Sequence, residues 1–207
     1  MKTHIRSELG IQGLIIMYVG NLEVYQGVDL LLESFALTSA RTDQAKLVVI
    51  GGEQADIQKY QSQAQTLGIR DHVYFLGPKP VDDLGYYLSQ ADILVSPRVK
   101  GKNTPMKLYS YLDSGKPLVA TNLATHTQVL TPELAVMTNP ESQAFAAGLL
   151  RLIEDENLRV QLGTAGKQLI EQKHTYAAFR RRLGGLYDWL QSEVNPTSAP
   201  QMLSDSV

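Results

Sequence analysis

SPRVKGKNTPMKLYSYLDSGKPLVAT, residues 96–121, combines a strand end, a basic loop, a short helix, a tight turn and a second strand. Thr104 followed by Pro105 predicts an N-cap and a first helical position, because proline needs no N–H there. Gly115 predicts a left-handed stop, and Pro117 prevents the helix from continuing. The apolar residues that this helix would bury are Met106, Leu108, Tyr111 and Leu112. A helix start beside a basic loop, at the carboxyl end of a buried strand, predicts an anion site.

Short apolar runs alternate with helical patterns over the first 140 residues. The predicted strands are 14–19, 46–50, 73–76, 93–95, 118–120 and 135–138, and further helices are predicted at 28–40, 53–67, 81–90 and 125–130. This alternation is typical of βαβ units, and continuously apolar strands are buried on both faces. The pattern therefore predicts an α/β, Rossmann-like three-layer domain, in which helices cover both faces of a parallel sheet of about six strands.

The chain after Pro140 has helical patterns only. Helices are predicted at 141–154, 156–172 and 176–190, and the Ser- and Pro-rich residues 192–207 are predicted to be a disordered tail. The first 13 residues are polar and have no clear period. We therefore predict one domain over residues 14–191, between a leading segment and the tail.

The composition limits the classes of function. Over 207 residues the formal net charge is −2, which argues against general nucleic-acid binding because such proteins carry a basic face. The chain has no cysteine, so disulfides and thiolate zinc sites are excluded. No apolar run approaches the roughly 18 residues that span a bilayer, and the start lacks the apolar core of a signal peptide. A cytoplasmic location is expected, and peripheral attachment to the inner face of the membrane stays open.

Ligands of parallel sheets bind beyond the carboxyl ends of the strands. The loops at that edge are 20–27, 51–54, 77–80, 98–104 and 121–127. The first loop, GNLEVYQG, lacks the G-x-G-x-x-G spacing of a dinucleotide site. A phosphoacceptor receiver domain needs acidic residues at such strand ends, where this chain has Gly20-Asn21 and Ser96-Pro97. Both functions are therefore disfavoured. The scattered histidines, which are expected to be surface or loop residues, are His4, His72, His126 and His174.

Seven segments, taken in order, carry a resemblance to a known family. They are MYVGNLEVYQGVDLLLESF, KLVVIGG, VYFLGPKP, ADILVSP, MKLYSYLDSGKPLVAT, NLRVQLGTAGKQLI and YAAFRRRLGGLYDWL. Together they resemble the C-terminal, donor-binding domain of GT-B glycosyltransferases, in particular the retaining enzymes of family 4, the glycosyl transferases group 1. The resemblance implies a domain that binds a nucleotide-diphospho-sugar, such as a UDP- or GDP-sugar, for transfer of the sugar to an acceptor. Synthesis of cell-surface polysaccharide or glycoconjugates is the expected pathway.

The same resemblance implies that a complete active site needs an N-terminal, acceptor-binding half. Residues 1–13 resemble the remnant of the interdomain linker, so that half would lie in the full-length protein or in a separate subunit. The isolated donor-binding half is expected to be inactive, and no catalytic residue is assigned to it. Neither a metal nor a cofactor is expected, and any membrane association would be peripheral, through the other half.

The resemblance also assigns the parts of the donor to particular loops. The nucleotide base is expected near Gly77 and Lys79, and the ribose near Ser110. For the diphosphate, the expected contacts are Gly20, Asn21 and Gln26 in the first loop, and Arg98, Lys102, Asn103, Thr104, Met106 and Lys107 in the central stretch.

Two features of the family are missing from their expected positions. Lys102 and Ser110 replace a pair of glutamates, and Asn21 and Gln26 replace two cations of the first loop. Charge-assisted hydrogen bonds are roughly twice as strong as neutral ones, so these losses weaken a donor site. Either the charge has moved to other cations in an active branch, or the domain is a degenerate, non-catalytic nucleotide-binding or protein-interaction module. The candidate cations are Arg98, Lys100, Lys102 and Lys107, and an ordinary solvated loop also explains them.

Overall fold

The fold is built on one parallel β-sheet in the computed structural model, which describes residues 4–194. The strands are β1, Leu14–Val19; β2, Ala45–Ile50; β3, Val73–Phe75; β4, Ile93–Ser96; β5, Leu118–Thr121; and β6, Val136–Thr138. Within the described range their order across the sheet is β3-β2-β1-β4-β5-β6, and every neighbouring pair is parallel. The predicted Rossmann-like sheet is therefore confirmed.

Helices cover both faces of this sheet. They are α1, Ile5–Glu8; α2, Val28–Ser39; α3, Gln54–Thr66; α4, Leu84–Ser89; α5, Lys107–Asp113; α6, Ala124–Thr127; α7, Ser142–Glu154; α8, Glu156–Lys173; and α9, Tyr176–Val194. Ile16 and Tyr18 of β1 pack in a core layer with α2, α3 and α7, whereas Ile15 and Met17 pack in the opposite layer with α1, α4 and α5. Burial on both faces explains why the strands are continuously apolar.

The chain divides after Ile170 into two compact units. The first unit holds the sheet and α1 to α7, and α9 belongs to the second. Residues 192–194 of the predicted tail form the end of α9, and the remainder of that tail lies outside the described residues. Between residues 4 and 194, no helix combines the length and the apolarity needed to cross a bilayer.

The described part of the polar leading segment, residues 4–13, belongs to the first unit. Ile5 is fully buried, and Arg6 forms an ion pair with Asp92 at 2.8 Å. The same carboxylate accepts a hydrogen bond from the Ile15 N–H at 2.7 Å, at the start of the central strand. Residues 4–13 therefore pack against the sheet domain, and the linker role expected for this segment stays a prediction.

Helix α5 begins later than the sequence predicts. Its first residue is Lys107 and no side chain caps it, so the prediction that Thr104 and Pro105 start the helix is wrong. A tight turn precedes the helix instead, in which the Leu108 N–H donates to the Pro105 carbonyl at 3.1 Å. The Thr104 hydroxyl donates to the side-chain oxygen of Gln128, and it is therefore already engaged away from the helix.

The apolar face of α5 is smaller than predicted. Its buried side chains are Leu108, Tyr111 and Leu112. Met106 was also predicted to be buried but is 75% exposed, because it precedes the first helical turn. At the other end, Gly115 has a φ angle of +69°, which confirms the predicted left-handed stop. The late start places Lys107 on the first turn, beside the loops at the edge of the sheet.

Candidate functional site

A cavity of about 300 Å³ opens at the carboxyl ends of β1 and β4. Five residues predicted for the diphosphate line it: Gly20, Gln26, Arg98, Met106 and Lys107. The remaining wall residues are Val19, Tyr25, Leu84, Pro105 and Tyr111. Parallel sheets bind ligands at this edge, and the cavity lies between the loop after β1 and the loop after β4.

The two loops approach each other too closely for a side chain at Gly27. This residue has a φ angle of +75°, and a Cβ atom there would overlap the carbonyl oxygen of Pro97. Beside this contact, the Val99 N–H donates to the Tyr25 carbonyl at 3.0 Å. Glycine at this position therefore allows the loop after β1 to rest on the loop after β4.

Lys107 reaches into the cavity from the first turn of α5. Its Nζ lies 4.2 Å from the ring centroid of Tyr18 and 3.2 Å from Gln26 Oε1. Among the described residues, it forms no ion pair with a carboxylate. Burial, and then the nearby positive charge of Arg98, lower the pKa of Lys107 from 10.5 to about 7. Within residues 4–194 the amine therefore has neutral and aromatic partners and no counter-ion.

The side chain of Arg98 is held by its own loop. Its Nε donates to the Lys100 carbonyl at 2.7 Å, and its Nη1 donates to the Asn103 carbonyl at 3.1 Å. The guanidinium lies 5.1 Å from the ring centroid of Tyr25. A Cβ atom at Gly101 would overlap the guanidinium, so glycine leaves the room for it. The basic loop is thus wrapped around an arginine that lines the cavity.

The other predicted residues do not line this cavity. On the loop after β4 they are Lys102, Asn103 and Thr104, and on other loops they are Asn21, Gly77 and Lys79. Lys102 and Asn103 are exposed, and so is Asn21, whose Nδ2 lies 3.3 Å from the Tyr25 hydroxyl. Gly77 follows β3 and accepts a hydrogen bond from the Gly51 N–H at 2.8 Å.

Ser110 lines a second cavity, of about 230 Å³, between α4 and α5. The walls of this cavity include Leu88, Asp113 and Ser114. Leu84 belongs to both cavities. The predicted ribose and diphosphate positions therefore lie in neighbouring cavities that share one side chain.

Two buried tyrosines hold the loop after β1. Tyr111 was expected to be a core or wall residue, and Tyr18 was not singled out from the sequence. The Tyr111 hydroxyl accepts from the Val19 N–H at 2.8 Å and donates to the Val19 carbonyl at 3.1 Å. The Tyr18 hydroxyl donates to the Asn21 carbonyl at 2.6 Å. Burial raises the pKa of both phenols well above the ordinary value, so they stay neutral donors. The available signal was a tyrosine within an apolar pattern, because a buried hydroxyl needs a partner.

His126 is not the surface or loop residue that the sequence predicts. It lies on α6 and is 0% exposed. Its Nε2 is 2.9 Å from Ser96 Oγ, and its Nδ1 is 2.7 Å from the Thr121 carbonyl. Burial lowers the pKa of His126 to about 4, so the imidazole is neutral at physiological pH. A single histidine after a strand looks the same in sequence whether it is exposed or buried.

Solved structures of glycosyltransferases share this fold. Anabaena Alr3699/HepE in complex with UDP matches with a TM-score of 0.79 and 18% identity, over 89% of this chain and 51% of that chain. The C-terminal domain of the glycosyl transferase group 1 family protein LpcC from Francisella tularensis matches with a TM-score of 0.73 and 20% identity, over 82% and 91%. At these identities the likeness shows the fold alone, half of a GT-B architecture.

Relatives in sequence are glycosyltransferases as well. D-inositol 3-phosphate glycosyltransferase of Corynebacterium glutamicum is 26% identical over 194 residues, which are 88% of this chain and 46% of the relative. Phosphatidyl-myo-inositol mannosyltransferase of Mycobacterium leprae is 27% identical over 165 residues, 77% of this chain and 42% of the relative. The chain therefore spans about half the length of these relatives. Since residues 1–169 match the family described as Glycosyl transferases group 1, the resemblance is confirmed and the chain belongs to that family.

Proposed function

We propose that the cavity beside Lys107 binds the diphosphate of a nucleotide-sugar donor. The observation that carries the proposal is a partly buried lysine that has no acidic partner among residues 4–194 and lines the same cavity as Arg98. Burying a cation without a counter-charge is unfavourable, so the arrangement suits a ligand that supplies the negative charge. An ammonium has three donors, and Gln26 accepts only one of them.

The fold relationship supports a ligand of the UDP type. HepE, which has a similar fold, has structures in complex with UDP and with UDP-glucose. In this chain the cavity at Ser110 adjoins the cavity at Lys107, which leaves room for a nucleoside beside the diphosphate. We assign the ribose to Ser110 and the base to the loop of Gly77 and Lys79, as the family resemblance implies.

The cations would act on the leaving group of the transfer reaction. When the bond between the sugar and the diphosphate breaks, negative charge grows on the diphosphate oxygens. Positive groups that are already in place lower the energy of that transition state. Lys107 and Arg98 are the candidates for this role. Retention of the anomeric configuration and independence of a metal are proposed from the family resemblance alone.

Complete transfer is proposed to require a second, acceptor-binding half. The chain spans about half the length of its relatives, and the resemblance implies that the acceptor groups come from the N-terminal half. The isolated chain is then expected to bind the donor without transferring the sugar. For the whole protein we propose a cytoplasmic role in the synthesis of a cell-surface polysaccharide or glycoconjugate.

A calorimetric titration with UDP, GDP and ADP tests the proposal. At least one diphosphate is expected to bind, and its monophosphate is expected to bind more weakly by about tenfold or more, because the monophosphate lacks a charge-assisted contact. The matched monophosphates serve as controls for base and ribose binding. If none of the three diphosphates binds at millimolar concentration, the cavity is not a donor site.

The affinity for UDP is expected to fall as the pH rises from 7 to 9. In the free protein the pKa of Lys107 is about 7, so its amine is mostly neutral above pH 8, whereas a bound diphosphate favours the protonated form. Binding therefore takes up a proton, and the affinity falls by at most about tenfold per pH unit above the free pKa. The terminal phosphate, with a second pKa of about 6, stays ionised in this range. Titration in two buffers of different ionisation enthalpy measures the proton uptake.

Lys107→Arg is the matched control for this pH dependence. A guanidinium stays charged throughout the range, so the affinity of the variant is expected to be nearly constant between pH 7 and 9. A wild-type affinity that is equally constant would contradict the lowered pKa of Lys107.

A non-catalytic interaction module is the second candidate function, because α9 carries an exposed apolar stripe. Its members, spaced alternately three and four residues apart and 37–76% exposed, are Tyr176, Phe179, Leu183, Leu186 and Leu190. This spacing places them on one face of the helix, as in helices that bind a partner. The module predicts a folded protein that binds no nucleotide and captures a partner through α9. The nucleotide titration therefore separates the two functions.

A further inference from the structure

A chain of hydrogen bonds links the ends of two strands to the backbone at Arg98. Its members are Ser96 at the end of β4, His126 on α6 and Thr121 at the end of β5, and all three are 0% exposed. The Thr121 hydroxyl donates to the Arg98 carbonyl at 2.6 Å. A buried polar chain therefore ends on Arg98, a residue that lines the proposed donor cavity.

The Thr121 carbonyl determines which nitrogen of the imidazole carries the proton. A carbonyl can only accept, so His126 Nδ1 is protonated and donates to it at 2.7 Å. Nε2 then has a free lone pair and accepts from the Ser96 hydroxyl at 2.9 Å. Thr121 Oγ1 lies 3.0 Å from Nδ1 and directs its own proton to the Arg98 carbonyl. Each donor has an acceptor, and flipping the ring would break both histidine bonds.

This hydrogen-bond network restricts the positions of its residues in addition to packing them. Buried polar groups are unfavourable unless they are paired, and a fully paired network holds its members in one arrangement. Here the hydrogen bonds continue beyond the Arg98 carbonyl into the loop after β4. The loop folds back so that the Lys100 and Asn103 carbonyls accept from the guanidinium. The position of the guanidinium therefore depends on where the Arg98 backbone is held.

We infer that Thr121 and His126 are positioning residues for Arg98, which hold the loop after β4 so that the guanidinium faces the donor diphosphate. The inference rests on the proposed function, because a cation at this cavity acts on an anionic ligand. Neither Thr121 nor His126 lines the cavity. Thr121 contacts the loop after β4 at the Arg98 carbonyl, so its effect on ligand binding is expected to pass through Arg98.

Thr121→Val tests the hydrogen bond from the Thr121 hydroxyl to the Arg98 carbonyl. Valine keeps the branched shape and the preference for a strand but removes the hydroxyl. The affinity for UDP is expected to fall roughly fivefold, the effect of one ordinary hydrogen bond, and Thr121→Ser is expected to restore it. In an Arg98→Met background, the same Thr121→Val substitution is expected to leave the affinity unchanged. Wild-type affinity in the single variant, or an equal loss in the Arg98→Met background, would overturn the inference.

The Arg98 Nε–H provides a second readout that needs no ligand. In the wild-type protein this group donates to the Lys100 carbonyl at 2.7 Å, so its exchange with water in nitrogen-resolved NMR spectra is expected to be slower than that of an unbonded guanidinium. In Thr121→Val the exchange is expected to be about tenfold faster, because the loop opens more often. Unchanged exchange would count against the positioning role. If the wild-type protein binds no UDP and the exchange still accelerates, the proposed function fails while the positioning role holds.

Discussion

Replacing Lys107 by methionine is expected to weaken UDP binding by roughly 10- to 150-fold, because a hydrogen bond to a charged group contributes ~1.5–3 kcal/mol. Methionine keeps most of the length and packing of the lysine stem and removes the ammonium. Calorimetry at pH ~6.5 gives a large contrast, since a lysine with a pKa of about 7 is then mostly protonated. A methionine variant that binds UDP as tightly as the wild type would contradict the assigned role.

The same substitution is expected to raise the stability of the protein without ligand. The pKa of Lys107 falls from 10.5 to about 7 on folding, so the unfolded chain binds more protons between these pH values. The contribution of Lys107 to stability therefore increases as the pH rises through this window, and below pH 7 its charge opposes folding fully. Methionine removes that penalty, and thermal unfolding at pH 7 measures the gain. Opposite effects on binding and stability would distinguish a binding residue from a structural one.

Lys102→Met is the matched control for this prediction. Lys102 belongs to the same basic region, but it is exposed and does not line the cavity. Exposed charge pairs contribute ~0.2–1 kcal/mol, so the loss of affinity is expected to stay below about fivefold. If Lys102→Met has the larger effect, the diphosphate binds outside the cavity at Lys107.

Replacing Gly27 by alanine is expected to lower the free energy of unfolding by ~2–5 kcal/mol. The left-handed backbone, with a φ angle of +75°, contributes ~1–2 kcal/mol of this loss for a residue with a Cβ atom. Overlap of the new methyl group with the Pro97 carbonyl adds ~1–3 kcal/mol, the usual range for overpacking. Urea unfolding measures the total. Because the substitution separates the two loops of the cavity, UDP binding is expected to weaken as well.

Gly68→Ala separates the cost of the left-handed backbone from the cost of the overlap with the Pro97 carbonyl. Gly68 has a nearly identical φ angle of +71°, and a Cβ atom there would have no atom within 4 Å. Only the backbone penalty of ~1–2 kcal/mol is therefore expected. Equal losses at Gly27 and Gly68 would show that the contact with Pro97 does not limit the approach of the loops.

Gln26 illustrates how charge is arranged in this member of the family. The resemblance places a cation at this position, and the chain has a neutral amide instead. Its Oε1 lies 3.2 Å from Lys107 Nζ, so the cavity contains a cation that α5 supplies. A lysine at position 26 would bring two ammonium groups together and disfavour both. In the proposed donor site, Lys107 would therefore supply the charge that the resemblance places at position 26.

The sheet and its turns were predictable because they depend on neighbouring residues. The apolar runs of β1 and β5 predict buried strands from their own residues, and their alternation with helical patterns predicts that the strands are parallel. Gly115 predicts a left-handed turn because only glycine adopts it without steric cost. The order of these local signals carried the family resemblance, and the resemblance in turn identified Gly20, Gln26 and Lys107 as neighbours at one edge of the sheet.

Burial and charge at that edge follow from contacts between distant parts of the chain. Lys107 meets Gln26 across 81 positions of sequence, and Tyr111 meets Val19 across 92. The pKa of Lys107, the burial of His126 and the late start of α5 all depend on such contacts, which local periodicity does not encode. Residue order therefore determined the sheet and the loops that meet at its end. Only the tertiary structure determined which cation is buried at that edge of the sheet, because desolvation depends on the surroundings of a residue.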